Sequence, residues 1–151
     1  LLHSNVDIIA QNIDDQFRLE GQYDFAFALG LLYHLRNPIY FLQQVALHAE
    51  YMFLSTRVSR YLPDGKTDIR DTAVAYLLGP RECNNDPTNY WIFSVQGLKR
   101  VLNRSGWNIL DIETFGSVED STPHEVERDE RAFVFARRYD NIEELVMHHD
   151  Y

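Results

Sequence analysis

The chain has 151 residues, a formal net charge of −9 and a single cysteine, with 45% of its residues hydrophobic and 13% aromatic. That apolar content excludes a wholly disordered chain and suits one globular domain with a core. The longest apolar stretch, from Tyr23 to Leu35, is interrupted by Asp24, Gly30 and His34, which excludes a membrane span of ~20 apolar residues.

In chain order, Val6 to Ala10 reads as a short strand. Tyr23 to Leu29 (YDFAFAL) is a near-continuous apolar run that stops at Gly30, as a central parallel strand buried on both faces does. Asn37 and Pro38 open a helix, as N-cap and first helical residue. Ile39, Leu42, Val45, Ala46 and Ala49 recur on one face of it. Tyr51 to Thr56 is the next strand. Residues Arg57 to Tyr90 hold three of the five prolines and no sustained periodicity. They read as a long excursion with one short helix near Asp71 to Leu78, and long loops in compact domains are usually functional or disordered. Ser94 caps a second helix whose Leu98, Val101 and Leu102 face the core, and Gly106 ends it. Trp107 to Phe115 and Arg131 to Arg137 are two further strands. Their linker is polar and too short for a helical crossover, so they pair as an antiparallel hairpin. An acidic tail follows from Arg138.

Strands alternating with helices predict an α/β fold with a mostly parallel sheet and a terminal antiparallel strand. The lone Cys83 cannot form an internal disulfide, which suits a reducing cytoplasm; it is either a packing residue or a nucleophile. The acidic balance opposes phosphate binding by bulk electrostatics. His148-His149 forms no metal constellation with ligand spacing, so no metal is expected.

The strand YDFAFALG followed by LLYHLRNP resembles the fourth strand and following loop of class I S-adenosylmethionine-dependent methyltransferases. The segments NYWIFS, GLKRVLNRSGW and RAFVFAR resemble the end of the same fold. Within the superfamily, the likeness is greatest to the tRNA wobble-uridine (carboxymethoxyuridine-forming) methyltransferases, over Asn12 to Arg137. The resemblance implies the C-terminal part of a Rossmann-like fold. Residues 1–137 are then a partial methyltransferase domain, with 57–93 a lid-like insertion and 138–151 a tail. It also implies that Arg131–Arg137 lies between Tyr51–Thr56 and Trp107–Phe115. No glycine-rich turn and no acidic strand end for a ribose occur in the sequence. Both belong N-terminal to Leu1, so the chain is read as truncated.

The cofactor implied is S-adenosyl-L-methionine or its carboxylated derivative. Ligands of open α/β sheets sit beyond the carboxyl ends of the strands, where Gly30 lets a ligand approach the backbone and Leu29 packs on it. Asn12, Ile13 and Asp14 stand where the family cradles adenine. Tyr33 and Arg131 stand where it binds the carboxylate of the carboxylated cofactor, a task that suits a guanidinium fork. Tyr33 read without the resemblance is a packing aromatic, and Arg131 a surface cation. His34 is a general base or a structural histidine. Tyr90, Trp91 and Phe93 either stack on a planar substrate or belong to the core. Arg57 is a candidate substrate cation. The substrate is a tRNA base or a small molecule, with no membrane partner. A second reading is a methyltransferase-like interaction module without activity. A dehydrogenase half is a third and weaker reading, since no nicotinamide site is visible.

Overall fold

The computed structural model describes residues 5–141. The strands are β1 (Tyr23–Leu29), β2 (Ala49–Val58), β3 (Ala75–Leu77), β4 (Trp91–Phe93), β5 (Trp107–Gly116) and β6 (Glu130–Arg138). The helices are α1 (Pro38–His48) and α2 (Val95–Arg104), and a 3-10 turn covers Leu32–His34.

Both helices start as their sequences dictate. The Asn37 side chain accepts a hydrogen bond from Tyr40 N at 3.2 Å, with Pro38 at the first helical position. Ser94 Oγ accepts from Gly97 N at 2.9 Å. Gly97 is obligatory for packing, because a Cβ there would lie 2.2 Å from the Val74 carbonyl oxygen. Gly106 ends α2 with φ of 93°, the left-handed conformation that glycine adopts without steric cost. The buried stripe of α1 is Phe41, Leu42, Val45 and Ala46, whereas Ile39 is exposed and Ala49 already begins β2. The Trp107 indole Nε1 is fully buried and donates to Leu42 O at 3.0 Å, joining β5 to α1.

The sheet runs β3-β4-β2-β6-β5, with β1 also on β2. As expected, β6 is antiparallel between β2 and β5. The sheet as a whole is mixed rather than mostly parallel. β1–β2 and β2–β4 are parallel, while β2–β6, β3–β4 and β5–β6 are antiparallel. The excess of antiparallel pairs comes from β6, which is antiparallel to both its neighbours, while the excursion adds one parallel and one antiparallel pair. The expected helix near Asp71 to Leu78 is instead β3, which pairs with Trp91–Phe93. The Tyr-Leu pair suits a strand, and the Gly97 contact pins Val74 beside the cap of α2. Val6 to Ala10 forms no strand, and Val6, Ile8 and Ile9 are exposed, with no strand beside them among the described residues.

Alternation along the strands assigns their side chains to two faces. Ala26, Met52 and Ala136 share one register and Ala28, Leu54 and Val134 the next. All face the helices, and all but the half-buried Ala26 are buried. Phe25, Phe27, Phe53, Phe133 and Phe135 face the other way; Phe27 keeps 71% of its surface exposed. In this chain β1 is therefore covered on one face only. Its outer edge pairs with no strand among the described residues. An apolar groove of about 310 Å³ runs along that edge, lined by Phe17, Leu19, Phe25, Phe27 and Phe41 among others.

Candidate functional site

The carboxyl ends of β1 and β2 form the floor of the candidate site. Gly30 turns the chain with φ of 66°. Its N–H donates to Ser55 O at 2.9 Å and lies 3.0 Å from Ser55 Oγ. The 3-10 turn then folds Tyr33 back, so that a Cβ at Gly30 would sit 3.9 Å from the Tyr33 hydroxyl. Arg131, at the start of β6, lays its guanidinium carbon 5.9 Å from the Tyr33 ring centroid. The fold thus brings together Gly30, Tyr33 and Arg131, which are separated by up to a hundred residues in sequence. Leu29 lies beside them, exposed on the bare face. Burial works against the Arg131 charge, yet the Tyr33 hydroxyl and Asp129 outweigh it and raise its pKa above the ordinary value.

Asn12, Asp14 and His34 gather in a second part of the site. With Asp15, Arg36, Thr88 and Tyr90 they line a cleft of about 500 Å³. Asn12 Oδ1 accepts from Asp14 N at 3.2 Å. Asp14 Oδ1 accepts from Arg36 N at 2.8 Å and Asn37 N at 3.1 Å, fastening this turn to the start of α1. Ile13 packs half-buried against the core. His34 Nδ1 lies 3.2 Å from Thr88 O and 3.1 Å from Thr88 Oγ1, and the ring lies against Tyr33, centroids 4.2 Å apart and planes tilted by 43°. With Nδ1 protonated it donates to the Thr88 carbonyl, and Nε2 is left as the acceptor.

Three sequence candidates take other positions. Phe93 is buried in the main core and cannot stack on a substrate. Trp91 is half-buried and donates through Nε1 to Arg36 O at 3.2 Å. Tyr90 does face the cleft, where its hydroxyl accepts from Arg36 Nε at 2.9 Å. Arg57 is the clearest correction. It is 4% exposed. Its Nη1 donates to Cys83 Sγ at 3.0 Å, and its Nη2 donates to Thr122 O at 3.2 Å and Glu125 O at 2.6 Å. Its Nε lies 2.9 Å from Asp129 Oδ1 in an ion pair without hydrogen-bond alignment. A phosphate has no approach to a guanidinium so enclosed. Cys83 is buried beneath it, and burial pushes the thiol pKa up despite Arg57, which argues against a nucleophile. Among the described residues no group of three or more His, Cys, Asp or Glu gathers to hold a metal, and His148 and His149 lie outside them.

Four residues of the site escaped the sequence reading: Ser55, Arg36, Thr88 and Asp129. Asp129 stands two positions before Arg131, and an acid beside a candidate anion ligand was a readable signal. Thr88 and Arg36 meet His34 and Tyr90 across 54 residues, a contact that no local pattern announces.

A family model described as a methyltransferase domain matches residues 3–112, most of the chain and every element from β1 into β5. The chain belongs to this methyltransferase domain family. No protein among the curated ones matches it in sequence. Solved structures similar to this methyltransferase domain include the N-terminal domain of EvdMO1 with SAH bound, at 19% identity and TM-score 0.51, covering 79% of this chain and 48% of that one. An S-adenosylmethionine dependent methyltransferase from Mesorhizobium loti matches at 15% identity and TM-score 0.56, covering 85% and 67%. The [4+2]-cyclase SpnF matches at 15% identity and TM-score 0.58, covering 87% and 55%. At these identities the likeness shows a shared fold. The methyltransferase domain described here spans about half the length of the first of these structures.

Proposed function

We propose that the chain is the C-terminal half of an S-adenosylmethionine-dependent methyltransferase and supplies one end of the cofactor pocket. The observation that carries the reading is the convergence of Gly30, Tyr33 and Arg131 beyond the carboxyl ends of β1 and β2, where open α/β sheets bind ligands. The SAH bound to the EvdMO1 domain, whose fold is shared, supports the same cofactor class. Gly30 admits the cofactor to the backbone, Leu29 covers it, and Asn12, Ile13 and Asp14 border its adenine. Arg131 and Tyr33 receive a carboxylate carried by the cofactor, which makes the carboxylated form the preferred ligand. His34, with Nε2 available, is the base that takes a proton from the methyl or carboxymethyl acceptor. The sulfonium itself supplies the leaving group, so positioning provides much of the acceleration.

The acceptor in this reading is a small molecule. Three of the five cations between Arg57 and Glu82 are compensated: Arg57 is enclosed, Arg60 pairs with Asp68 and Glu119 at 3.2 and 2.6 Å, and Arg70 stands 3.9 Å from Glu119. Cations so compensated offer little to a tRNA backbone. Tyr90, at the wall of the cleft, is the aromatic group that meets the acceptor.

Calorimetric titration of the complete domain tests the cofactor reading. Arg131→Ala should weaken the carboxylated cofactor by on the order of 2–5 kcal/mol, roughly 30-fold or more, and S-adenosylmethionine far less. Tyr33→Phe should cost about 0.5–1.5 kcal/mol. Equal losses for both ligands would make Arg131 structural and the protein an ordinary methyltransferase. A steep fall of tRNA affinity with rising salt would restore the tRNA acceptor. A second reading, a scaffold turned to other chemistry, is favoured by one observation: the cyclase SpnF shares the fold. Binding of cofactor without transfer to any acceptor would select it.

A further inference from the structure

Arg57 and Arg131 stand directly opposite each other in the β2–β6 ladder. Opposed residues of an antiparallel pair point to the same face, and like charges so placed destabilise a sheet. The ladder is nevertheless regular here, with the eight pairs from Tyr51↔Arg137 to Val58↔Glu130 in unbroken register. The compensation comes from Asp129. One carboxylate oxygen, Oδ1, lies 2.9 Å from Arg57 Nε, and the other, Oδ2, accepts from Arg131 Nε at 3.1 Å.

The two arginines share this carboxylate unequally. Arg57 is buried, and its two Nη groups donate to Cys83, Thr122 and Glu125. Its charge has no access to water and depends on Asp129. A buried cation without its counter-charge costs several kcal/mol, so the carboxylate is committed inward. Arg131 is half-exposed and gives Asp129 only its Nε edge. Two cations share one anion, so one positive charge remains, and it faces the Tyr33 ring at the mouth of the site.

We propose that Asp129, anchored by the buried Arg57, is the positioning residue that fixes Arg131 across Tyr33 and leaves the outer edge of its guanidinium free for an anionic ligand group. The inference rests on the reading of Arg131 and Tyr33 as a carboxylate site. It explains why a carboxylate so close to Arg131 does not cancel the site's charge. It also gives Arg57 a role that burial denies it as a substrate ligand.

The test is nitrogen-15 relaxation of the arginine Nε–Hε groups in the 151-residue chain. In the wild type, Arg131 should show an order parameter near that of rigid backbone, about 0.8, and Arg57 the same, while the exposed Arg18 should fall below about 0.6. Asp129→Asn should release Arg131 to below about 0.6. Arg57 should stay ordered through its three other partners, with backbone amide shifts unchanged outside the neighbourhood of residue 129. A purely structural aspartate would loosen both arginines together, and that result overturns the proposal. If the variant does not fold, the wild-type measurement alone decides: an Arg131 as mobile as Arg18 also overturns it. Failure here leaves the cofactor reading standing, because that reading is judged by the ligand preference of Arg131→Ala. An ordered Arg131 with no carboxylate preference upholds the positioning and removes the ligand.

Discussion

The two faces of one sheet are built on opposite plans. Along β1 the run YDFAFAL alternates, and its alanines, Ala26 and Ala28, look toward the helices while Tyr23, Phe25, Phe27 and Leu29 look away. Small side chains on the covered face let α1 approach the sheet closely, and Met52, Leu54 and Val134 fill the remaining space with no exposed surface. The other face is a field of aromatic rings in contact: Phe25 with Tyr51 at 5.3 Å between centroids, Phe25 with Phe135 at 6.5 Å, and Phe53 with Phe135 at 6.0 Å. A contiguous apolar surface of this kind marks an interface or an aggregation liability. The difference teaches where stability resides. Residues of the same strands, one position apart, hold the fold together on one side and contribute to it weakly on the other.

Substitutions that separate the faces should show this directly. The largest effect belongs to Leu54→Ala, which removes a fully buried side chain from the covered face and should cost about 2–5 kcal/mol in urea unfolding. Phe27→Ala, on the bare face of the neighbouring strand β1 and one position from the partner of Leu54, should cost less than about 1 kcal/mol; equal costs would mean that the bare face is packed in solution. Next comes Gly97→Ala, whose added methyl meets the Val74 carbonyl and should cost about 1–3 kcal/mol by overpacking. Third, the bare face and the open edge of β1 should make the chain self-associate. Phe27→Lys should shift sedimentation velocity profiles toward monomer; a wild type that sediments as a clean monomer at high concentration would end this expectation. The smallest effect concerns Glu130, a carboxyl buried on the covered side and hydrogen-bonded by Ser121. Burial raises its pKa above the ordinary value. A folded pKa above the unfolded one favours the fold while the group is protonated. That contribution is complete below the unfolded value near ~4.3 and is lost as pH rises through the folded one. Glu130→Gln should flatten this decline in melting temperature between acid and neutral pH.

Much of this arrangement was readable. The caps Asn37 and Ser94, the stop at Gly106 and the antiparallel pairing of β5 with β6 follow from local chemistry, and the place of β6 between β2 and β5 from the resemblance. That the sheet is mixed was not, because β3 and β4 are three-residue strands whose pairing is decided by contact rather than by periodicity. A run such as YDFAFAL reads as apolar on both sides whether or not anything covers it, so periodicity alone does not say which face stays bare. In the candidate site, Gly30, Tyr33 and Arg131 were legible through the resemblance of their segments, and the structure brings them together. Arg57 misled because a cation in a loop-like stretch looks solvated. Nothing in its neighbours along the chain announces that residues 83, 122, 125 and 129 close over it.

The chain contains two tryptophans, and the fold sends them to different tasks. Trp107 is sealed between β5 and α1, with its indole N–H tied to a helix carbonyl. Trp91 packs half-buried against the core, with its N–H on the carbonyl of Arg36, a residue that lines the cleft beside Tyr90. Their emission is therefore separable. Trp91→Phe leaves a chromophore that turns red only when the two layers come apart. Trp107→Phe keeps one that responds when something enters beside Tyr90. Fluorescence of the native chain superimposes unfolding and occupancy, and the pair of single-tryptophan forms reads each alone.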